Sequence, residues 1–316
     1  MRILLLIISF SLGLLALDTT EPNIKHFIYK MHNRYGFSTT YLKNVLRGAK
    51  FNDYALSRYD GRVRNATDYS WRRYKSKILI PESVELGKDF MRKYSYWLDL
   101  AFKRYGVDKE IITAFIRIES KFGLYGSEFR VIDVLSTLAF NPNRKQRFFK
   151  KELEKLFIMA RKAHVDITKL RGSFAGAMGY VQQMPSIYLR YAVDLDKDGI
   201  KNPNSMPDAI GSIAKFLHKN GWRNSRVTIK RAKVTNSRYL NLRSSYKSRY
   251  SLNTLKKYGV YPHGRWYGSS AYFIRLYNGK GYDVYLGDKN YRIITFYNPS
   301  KQYALSVALY AKLLKR

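Results

Sequence analysis

The chain contains no cysteine and few acidic residues. Over its 316 residues, the lack of Cys excludes disulfide bonds and thiolate metal sites and leaves the redox compartment open. Asp and Glu number 23 against 58 Lys and Arg, which gives a formal net charge of +35. An excess of this size does not determine a fold, but it indicates a polyanionic partner or an anionic surface. Nucleic acid, anionic lipid and an acidic cell-wall polymer are all candidates at this point.

The N terminus reads MRILLLIISFSLGLLAL, with Arg2 before an apolar run. The run is shorter than the roughly 20 residues that a membrane-spanning helix needs. It has the pattern of a secretory signal, with cleavage near Gly13 or Ala16, and an uncleaved anchor is the alternative. Because no Cys follows, a bacterial lipoprotein signal is excluded. Export argues against nucleic acid as the main partner.

Helical and strand-like patterns divide the rest of the chain. The segment IKHFIYKMHNRYG has helical spacing and is expected to end at Gly36, and Pro81 is expected to start a later helix. From Arg226, segments including GYDVYLGDKNYRIITFYN alternate and predict short strands or hairpins. The predicted parts are a signal or anchor, an N-terminal helical domain, a helical core, a small β subdomain and a closing core segment, at residues 1–17, 21–105, 106–225, 226–293 and 294–316. The fold class expected is mainly α (α+β).

Glu119 stands in the run AFIRIESKFG, an apolar setting for one of the few acids. Asp108 predicts the start of a helix and Gly123 its end. Glu119 then lies in the last turn, at the edge of an apolar stripe that comprises Ile111, Phe115, Ile118 and Phe122. Apolar surroundings and a helix C-terminus both raise the pKa of a carboxyl. The result is an acid that keeps its proton near neutral pH, as protonation of a glycosidic oxygen requires. The alternative is a boundary glutamate that reaches water or pairs with Arg117 or Lys121.

The segment RGSFAGAMGYVQQMPS combines small residues with hydrogen-bonding side chains. Its glycines allow a bulky ligand to approach the backbone, and Ser173, Tyr180 and Gln182 could bind that ligand. The alternative is tight helix packing through small residues. No His-Glu-x-x-His, Gly-x-Ser-x-Gly or phosphate-loop motif occurs.

The segment DLDKDGIKNPNSMPD is similar to the first half of an EF-hand loop. Its aspartates alternate before Gly199, and the Glu expected at the last loop position is replaced by Ser205. Three carboxylates so close would repel one another without a cation, so a structural Ca²⁺ or Na⁺ site is predicted. The candidate ligands are Asp194, Asp196, Asp198 and Ile200, with Asp208 three residues beyond Ser205. The alternative is an Asp-Gly turn with solvated acids.

The runs GVDKEIITAFIRIESKFG, GSFAGAMGYVQQMPS, YAVDLDKDG, PDAIGSIAKFLHKNGW and ITFYNPSKQYALSV resemble, in this order, the membrane-bound lytic murein transglycosylase B family. The resemblance implies a lysozyme-like helical core and places the family's general acid/base on Glu119. It also implies an acid at Asp208 in the cation loop. The substrate-binding positions that it implies are Ser173, Tyr180, Gln182, Tyr297, Asn298, Tyr303 and Arg144.

The resemblance implies cleavage of the MurNAc-GlcNAc β-1,4 bond of peptidoglycan, with formation of a 1,6-anhydromuramic end. A single glutamate acts as acid and then as base, which agrees with the lack of a second acid in a comparable segment. No cofactor is required for this chemistry. The expected partners are peptidoglycan glycan strands and envelope protein complexes, with no nucleic acid, and a monomer is expected. The expected location is the periplasm of a Gram-negative bacterium, with membrane association.

Three positions depart from the family pattern. Gln183 stands where Phe is usual, Phe216 where Tyr is usual, and Arg144-Lys145 where two arginines are usual. These differences bear on the preference for sugar subsites and not on the reaction. The competing function is a non-catalytic, basic binding protein for anionic cell-wall polymer or nucleic acid.

Overall fold

The computed structural model describes residues 17–61, 71–224 and 229–316, with the side chains of residues 73 and 74 left aside. The signal or anchor expected at residues 1–17 lies outside this part except for its last residue. Within the described ranges, no helix is both long and apolar enough to cross a membrane. The chain divides into two compact units. The described part of the first comprises residues 17–61, 127–178 and 184–189, and that of the second residues 71–126, 179–183, 190–224 and 229–316.

The helices are α1 (Pro22–Tyr35), α2 (Thr39–Arg47), α3 (Asp53–Ser57), α4 (Trp71–Ile78), α5 (Pro81–Lys93), α6 (Ser95–Tyr105), α7 (Lys109–Ser120), α8 (Val131–Phe140), α9 (Gln146–Ala163), α10 (Pro185–Tyr191), α11 (Met206–Lys219), α12 (Leu252–Lys257), α13 (Lys289–Tyr297) and α14 (Lys301–Leu314). The strands are β1 (Phe129–Arg130), β2 (Arg171–Gly172), β3 (Ile229–Val234), β4 (Arg249–Ser251), β5 (Val260–Pro262), β6 (Ser270–Tyr277) and β7 (Tyr282–Gly287). Two predicted boundaries are confirmed. Gly36 ends α1 in the left-handed conformation, with φ 65°, and Pro81 begins α5.

The first unit is held together by an aromatic core between α1 and α9. The ring of Phe27 lies 6.0 Å from that of Phe157, which also packs against Phe37 at 6.0 Å. Lys30 forms a 2.5 Å ion pair with Glu154 across the same two helices. Strands β1 and β2 form a short antiparallel pair in this unit.

In the second unit, α7 packs against α5, α6, α11 and α14. Residues 111 to 117 are all buried, so α7 is enclosed on every side rather than along one stripe, as expected for a core helix. Ile118, assigned to the predicted stripe, is partly exposed. The helix ends at Ser120 and not at the predicted Gly123, because the chain has already turned left-handed at Lys121, with φ 46°.

The second unit also contains a five-stranded antiparallel sheet in the order β4-β6-β7-β3-β5. Leu255, Phe273 and Leu286 are fully buried in its core. The sequence prediction of strands was wrong for YRIITFYN, which lies mostly in α13. The Asp288 carboxylate accepts the Tyr291 N–H at 3.1 Å and caps that helix. The predicted class, a mainly helical protein with a small β subdomain, is confirmed.

Candidate active site

Glu119 lies in the last turn of α7, next to the first turn of α14. The Tyr303 hydroxyl donates a hydrogen bond to Glu119 Oε1. Tyr303 is fixed by the helix start, where Ser300 caps α14, and its side chain is almost entirely buried. The structure therefore brings together Glu119 and Tyr303, two residues that the resemblance assigned to the site and that lie far apart in the sequence.

The Glu119 carboxyl is strongly desolvated although the residue still reaches solvent. Burial raises the pKa of Glu119 from its usual 4.5 to about 8, and the hydrogen bond from Tyr303 opposes this rise. Since each ionised carboxylate needs water or donors to stabilise it, the apolar surroundings favour the protonated form. At neutral pH the group holds a proton that it can donate.

The alternative of a paired boundary glutamate is not observed. Arg117 is buried and donates from Nε to Ser83 Oγ at 2.6 Å, and Lys121 Nζ lies 3.9 Å from the centre of the Tyr125 ring. Among the residues placed by the structure, none forms an ion pair with Glu119. The raised pKa is thus not offset by a cation.

Tyr297 forms an aromatic wall beside this acid. Its ring centre lies 4.9 Å from those of Phe115 and Phe216 and stacks on Tyr303 at 6.5 Å. Burial and then the charge of Glu119 raise the pKa of Tyr297 well above its usual value. Tyr297 therefore stays neutral and can act only as a hydrogen-bonding phenol.

The turn that follows Glu119 has an unusual backbone. Lys121, Phe122 and Gly123 have consecutive positive φ angles of 46°, 62° and 93°. Such conformations are costly for residues other than glycine and cluster at functional sites. A Cβ at Gly123 would lie 2.7 Å from the ring of Tyr180, so glycine is needed for that ring to pack there.

Gln182 lies on the far side of the same turn. Its Nε2 donates to the carbonyl oxygens of Gly126 at 2.6 Å and Gly179 at 2.8 Å. A Cβ at Gly126 would lie 2.5 Å from that nitrogen. Tyr180 and Gln182 therefore pack tightly against the turn that follows Glu119, Tyr180 at Gly123 and Gln182 at Gly126.

The other predicted binding residues lie apart in the chain. Asn298 follows α13, and its carbonyl accepts the Ser300 N–H at 2.8 Å. In the first unit, Ser173 Oγ accepts the Ala177 N–H at 3.3 Å. Also in that unit, the Arg144 guanidinium lies 4.9 Å from the centre of the Tyr59 ring.

Sequence reasoning missed two contributors to the site. Val181 accepts the Tyr297 hydroxyl through its backbone carbonyl, and Gly126 makes room for Gln182. Every residue has a backbone carbonyl, so the sequence does not show which one will accept a hydrogen bond. The spacing of Gly123 and Gly126 directly after the helix was the one available signal.

A second cluster is formed by the acidic loop. Asp194, Asp196 and Asp208 each offer an oxygen within 4.8 Å of the others. The Asp208 carboxylate is fully buried and accepts the N–H groups of Leu195 at 2.8 Å and Asn202 at 2.7 Å. Burial, and then the charges of the two neighbouring aspartates, raise the pKa of Asp208 to about 7.

Two oxygens in this cluster are free to bind a cation. In the described part of the chain, Oδ1 of Asp194 and Oδ1 of Asp196 are buried and have no hydrogen-bond partner. Asp198 Oδ1 instead accepts the Ile200 N–H at 2.7 Å, and Asp198 lies outside the cluster of three. Closely spaced carboxylates with unused oxygens suit a hard cation such as Ca²⁺.

The helical core and a desolvated acid held by a tyrosine define the class of the protein, an enzyme of the lysozyme-like type. The model of the Transglycosylase SLT domain family matches residues 19–312. The chain is 36% identical over 296 residues to the membrane-bound lytic murein transglycosylase B of Escherichia coli, covering 91% of this chain and 81% of that protein. It belongs to this family of peptidoglycan-cleaving lytic transglycosylases.

Solved structures give the same result. The lytic transglycosylase SLT35 of Escherichia coli, determined in complex with calcium, matches with a TM-score of 0.86 and 34% identity over 96% of this chain and 97% of that one. The soluble lytic transglycosylase SltB1 of Pseudomonas aeruginosa matches with a TM-score of 0.84 and 33% identity over 93% and 99%. The competing function of a non-catalytic binding protein is thereby disfavoured.

Proposed function

We propose that Glu119 alone performs both proton transfers of a lytic transglycosylase reaction. Its carboxyl proton passes to the glycosidic oxygen between MurNAc and GlcNAc, and the bond from that oxygen to C1 of MurNAc breaks. The carboxylate then accepts the proton of the muramic O6 hydroxyl while O6 bonds to C1. The observation that carries the proposal is a carboxyl with a pKa of about 8 held by the Tyr303 hydroxyl.

The surroundings of Glu119 support a mechanism with one carboxylate. A two-carboxylate glycosidase needs a second acid roughly 5–10 Å away, as nucleophile or base. In the part of the chain that the structure describes, the Glu119 carboxyl is held by the neutral Tyr303 hydroxyl, and burial raises its pKa. The O6 hydroxyl is tethered to the reacting sugar, and intramolecular attack has a large effective concentration.

The products of a digest test this proposal. Purified sacculi are incubated with the enzyme, and the released muropeptides are weighed by mass spectrometry before and after borohydride reduction. We expect non-reducible 1,6-anhydro ends, lighter by one water than the products of a hydrolase. Reducible ends carrying an added water would instead show that Glu119 serves a hydrolase with a second carboxylate.

The remaining predicted residues are proposed to bind the glycan strand. Tyr303 would hold the Glu119 carboxyl in place. The residues proposed to contact sugars or their peptides are Ser173, Tyr180, Gln182, Tyr297, Asn298 and Arg144. The segment at residues 1–17 would export the chain to the periplasm or anchor it there, in agreement with the membrane-bound relative.

We further propose that the acidic loop binds a structural Ca²⁺, or Na⁺, through Asp194, Asp196 and Asp208. The buried, unpartnered oxygens of the first two support this, as does the calcium complex of SLT35. The ion would neutralise three clustered carboxylates and fix the loop before α11. Glu119 carries the proton chemistry without it.

A further inference from the structure

Gln183 places a buried amide with unused hydrogen-bonding capacity beside the active site. Gln183 is only 3% exposed to solvent. Neither Nε2 nor Oε1 has a hydrogen-bond partner among the residues that the structure describes. A primary amide can donate two hydrogen bonds and accept others, and buried polar groups without partners are rare and costly. A buried amide without described partners at this position calls for a functional explanation.

The group next to this amide is the Tyr297 hydroxyl. The Tyr297 hydroxyl contacts the Val181 carbonyl, two residues before Gln183. The Gln183 amide lies close enough to that hydroxyl to lower the pKa of Tyr297 as a hydrogen-bonding group, although the two groups do not meet in full hydrogen-bond geometry. The Tyr297 hydroxyl proton is already donated to the Val181 carbonyl. The phenol oxygen nevertheless keeps lone pairs that can accept an N–H.

The other described neighbours of the Tyr297 ring leave its phenol oxygen available to accept an N–H from Gln183. Phe115 and Phe216 offer only apolar faces at 4.9 Å. Tyr303 stacks on the ring, but its own hydroxyl is donated to Glu119. The amide is thus a polar side chain placed to restrain the hydroxyl end of Tyr297.

We propose that Gln183 is a positioning residue that acts on Glu119 through Tyr297. Its amide N–H engages the Tyr297 phenol oxygen during the reaction and keeps the ring aligned with Tyr303 and Glu119. The sequence led us to expect that Gln183 affects the preference for sugar subsites, but at 3% exposure it is too buried for direct contact with a sugar. We therefore assign its effect to the reaction instead. The inference rests on the proposed role of Glu119 as the acid.

The test begins with Gln183→Met, which keeps the length of the side chain and removes its hydrogen-bonding groups. We expect kcat on soluble, uncrosslinked murein glycan strands to fall about 10- to 100-fold, because small misplacements of catalytic groups have effects of this size. KM should stay unchanged, and the melting temperature should not fall. Gln183→Leu serves the same test if Met does not fit the site. Gln146→Met, at the start of α9 in the first unit, is the matched control and should keep the wild-type kcat.

A double variant with Tyr297 distinguishes a positioning role of Gln183 from a role in packing alone. Tyr297→Phe removes the hydroxyl on which Gln183 acts. In that background, Gln183→Met should cause no further loss of kcat, since coupled residues are not additive. Losses that multiply, or a lower melting temperature that accounts for the loss, would overturn the proposal. A raised KM at unchanged kcat would also overturn it, because it would indicate substrate binding.

Glu119→Gln is measured in the same assay to separate this inference from the proposed function. An active Glu119→Gln enzyme would overturn both. An inactive Glu119→Gln enzyme beside a Gln183→Met enzyme with wild-type kcat would overturn the role of Gln183 alone.

Discussion

The raised pKa of Glu119 comes from its buried surroundings rather than from a neighbouring charge. Burial raises its pKa, and the one hydrogen bond that opposes this comes from a neutral tyrosine. A cation in the same place would hold the group ionised and unable to donate a proton. The distribution of the basic residues is therefore as important here as their number, since Arg117 and Lys121 both point to other partners.

Glu119→Gln should abolish strand cleavage while the protein stays folded. General acid catalysis alone contributes about 10²–10⁴-fold, and this group would serve two steps, so we expect a loss at or beyond the upper end. Release of soluble fragments from sacculi and circular dichroism measure the two effects. Glu110→Gln is the control on the same helix, because that carboxylate forms a 3.9 Å ion pair with Lys315 and has no proposed role in the reaction. Cleavage at even a tenth of the wild-type rate would refute the mechanism.

The same carboxyl makes stability depend on pH. Its pKa is about 8 in the folded state against about 4.5 when unfolded. Between these values the folded state holds a proton that the unfolded state has lost, so the free energy of unfolding decreases as pH rises from 4.5 to 8. Its contribution is fully present below 4.5 and absent above 8.

Glu119→Gln should remove this dependence. We expect the variant to become more stable relative to wild type as pH rises through that window and the difference to level off above pH 8. Urea unfolding of both proteins at intervals from pH 5 to 9 measures this. Parallel stability curves would mean that Glu119 titrates near its ordinary value in the folded protein.

At the scale of elements, the sequence predicts the helices whose apolar periodicity and end signals are unambiguous. The apolar period of α1 with its closing Gly36, and Pro81 before α5, determined those helices correctly. The segment around α13 is rich in β-branched and aromatic residues, which alternate as in a strand, and only the Asp288 cap distinguishes it. The place of Glu119 in an apolar helix made it a candidate acid, and only the family resemblance assigned the role to it. The Val181 carbonyl and the burial of the Gln183 amide depend on how distant segments pack, which one sequence does not specify.

The acidic loop should bind Ca²⁺ and gain stability from it. At a concentration about 100 times Kd, a ligand specific for the folded state adds about 2.7 kcal/mol, so we expect a rise of roughly 5 °C or more in melting temperature. Asp196→Asn should abolish the rise because it removes a carboxylate of the cluster. Asp99→Asn, at an exposed surface ion pair, should leave it intact. No shift with Ca²⁺ or Na⁺, and none on adding a chelator, would show that the loop is a solvated turn.

For the whole molecule, the net charge of +35 is the dominant property. Peptide stems and other envelope polymers are anionic, so long-range attraction should concentrate the enzyme on the wall and weaken as salt screens it. We expect binding of the inactive Glu119→Gln protein to sacculi to decrease steadily from about 50 to 500 mM NaCl, where the Debye length falls below about 10 Å. Pelleting assays measure it, with sacculi stripped of their stem peptides as the control. Binding that is indifferent to salt would assign the charge to another partner.

The bond between Tyr303 and Glu119 joins residues 184 positions apart in the chain. A contact of such separation closes a long loop, and folds with many such contacts form slowly. During synthesis, Glu119 emerges long before α14 exists, so a nascent or truncated chain carries the acid without its tyrosine. A chain cut before α14 would therefore keep the Glu119 carboxyl but lack the hydroxyl that holds it.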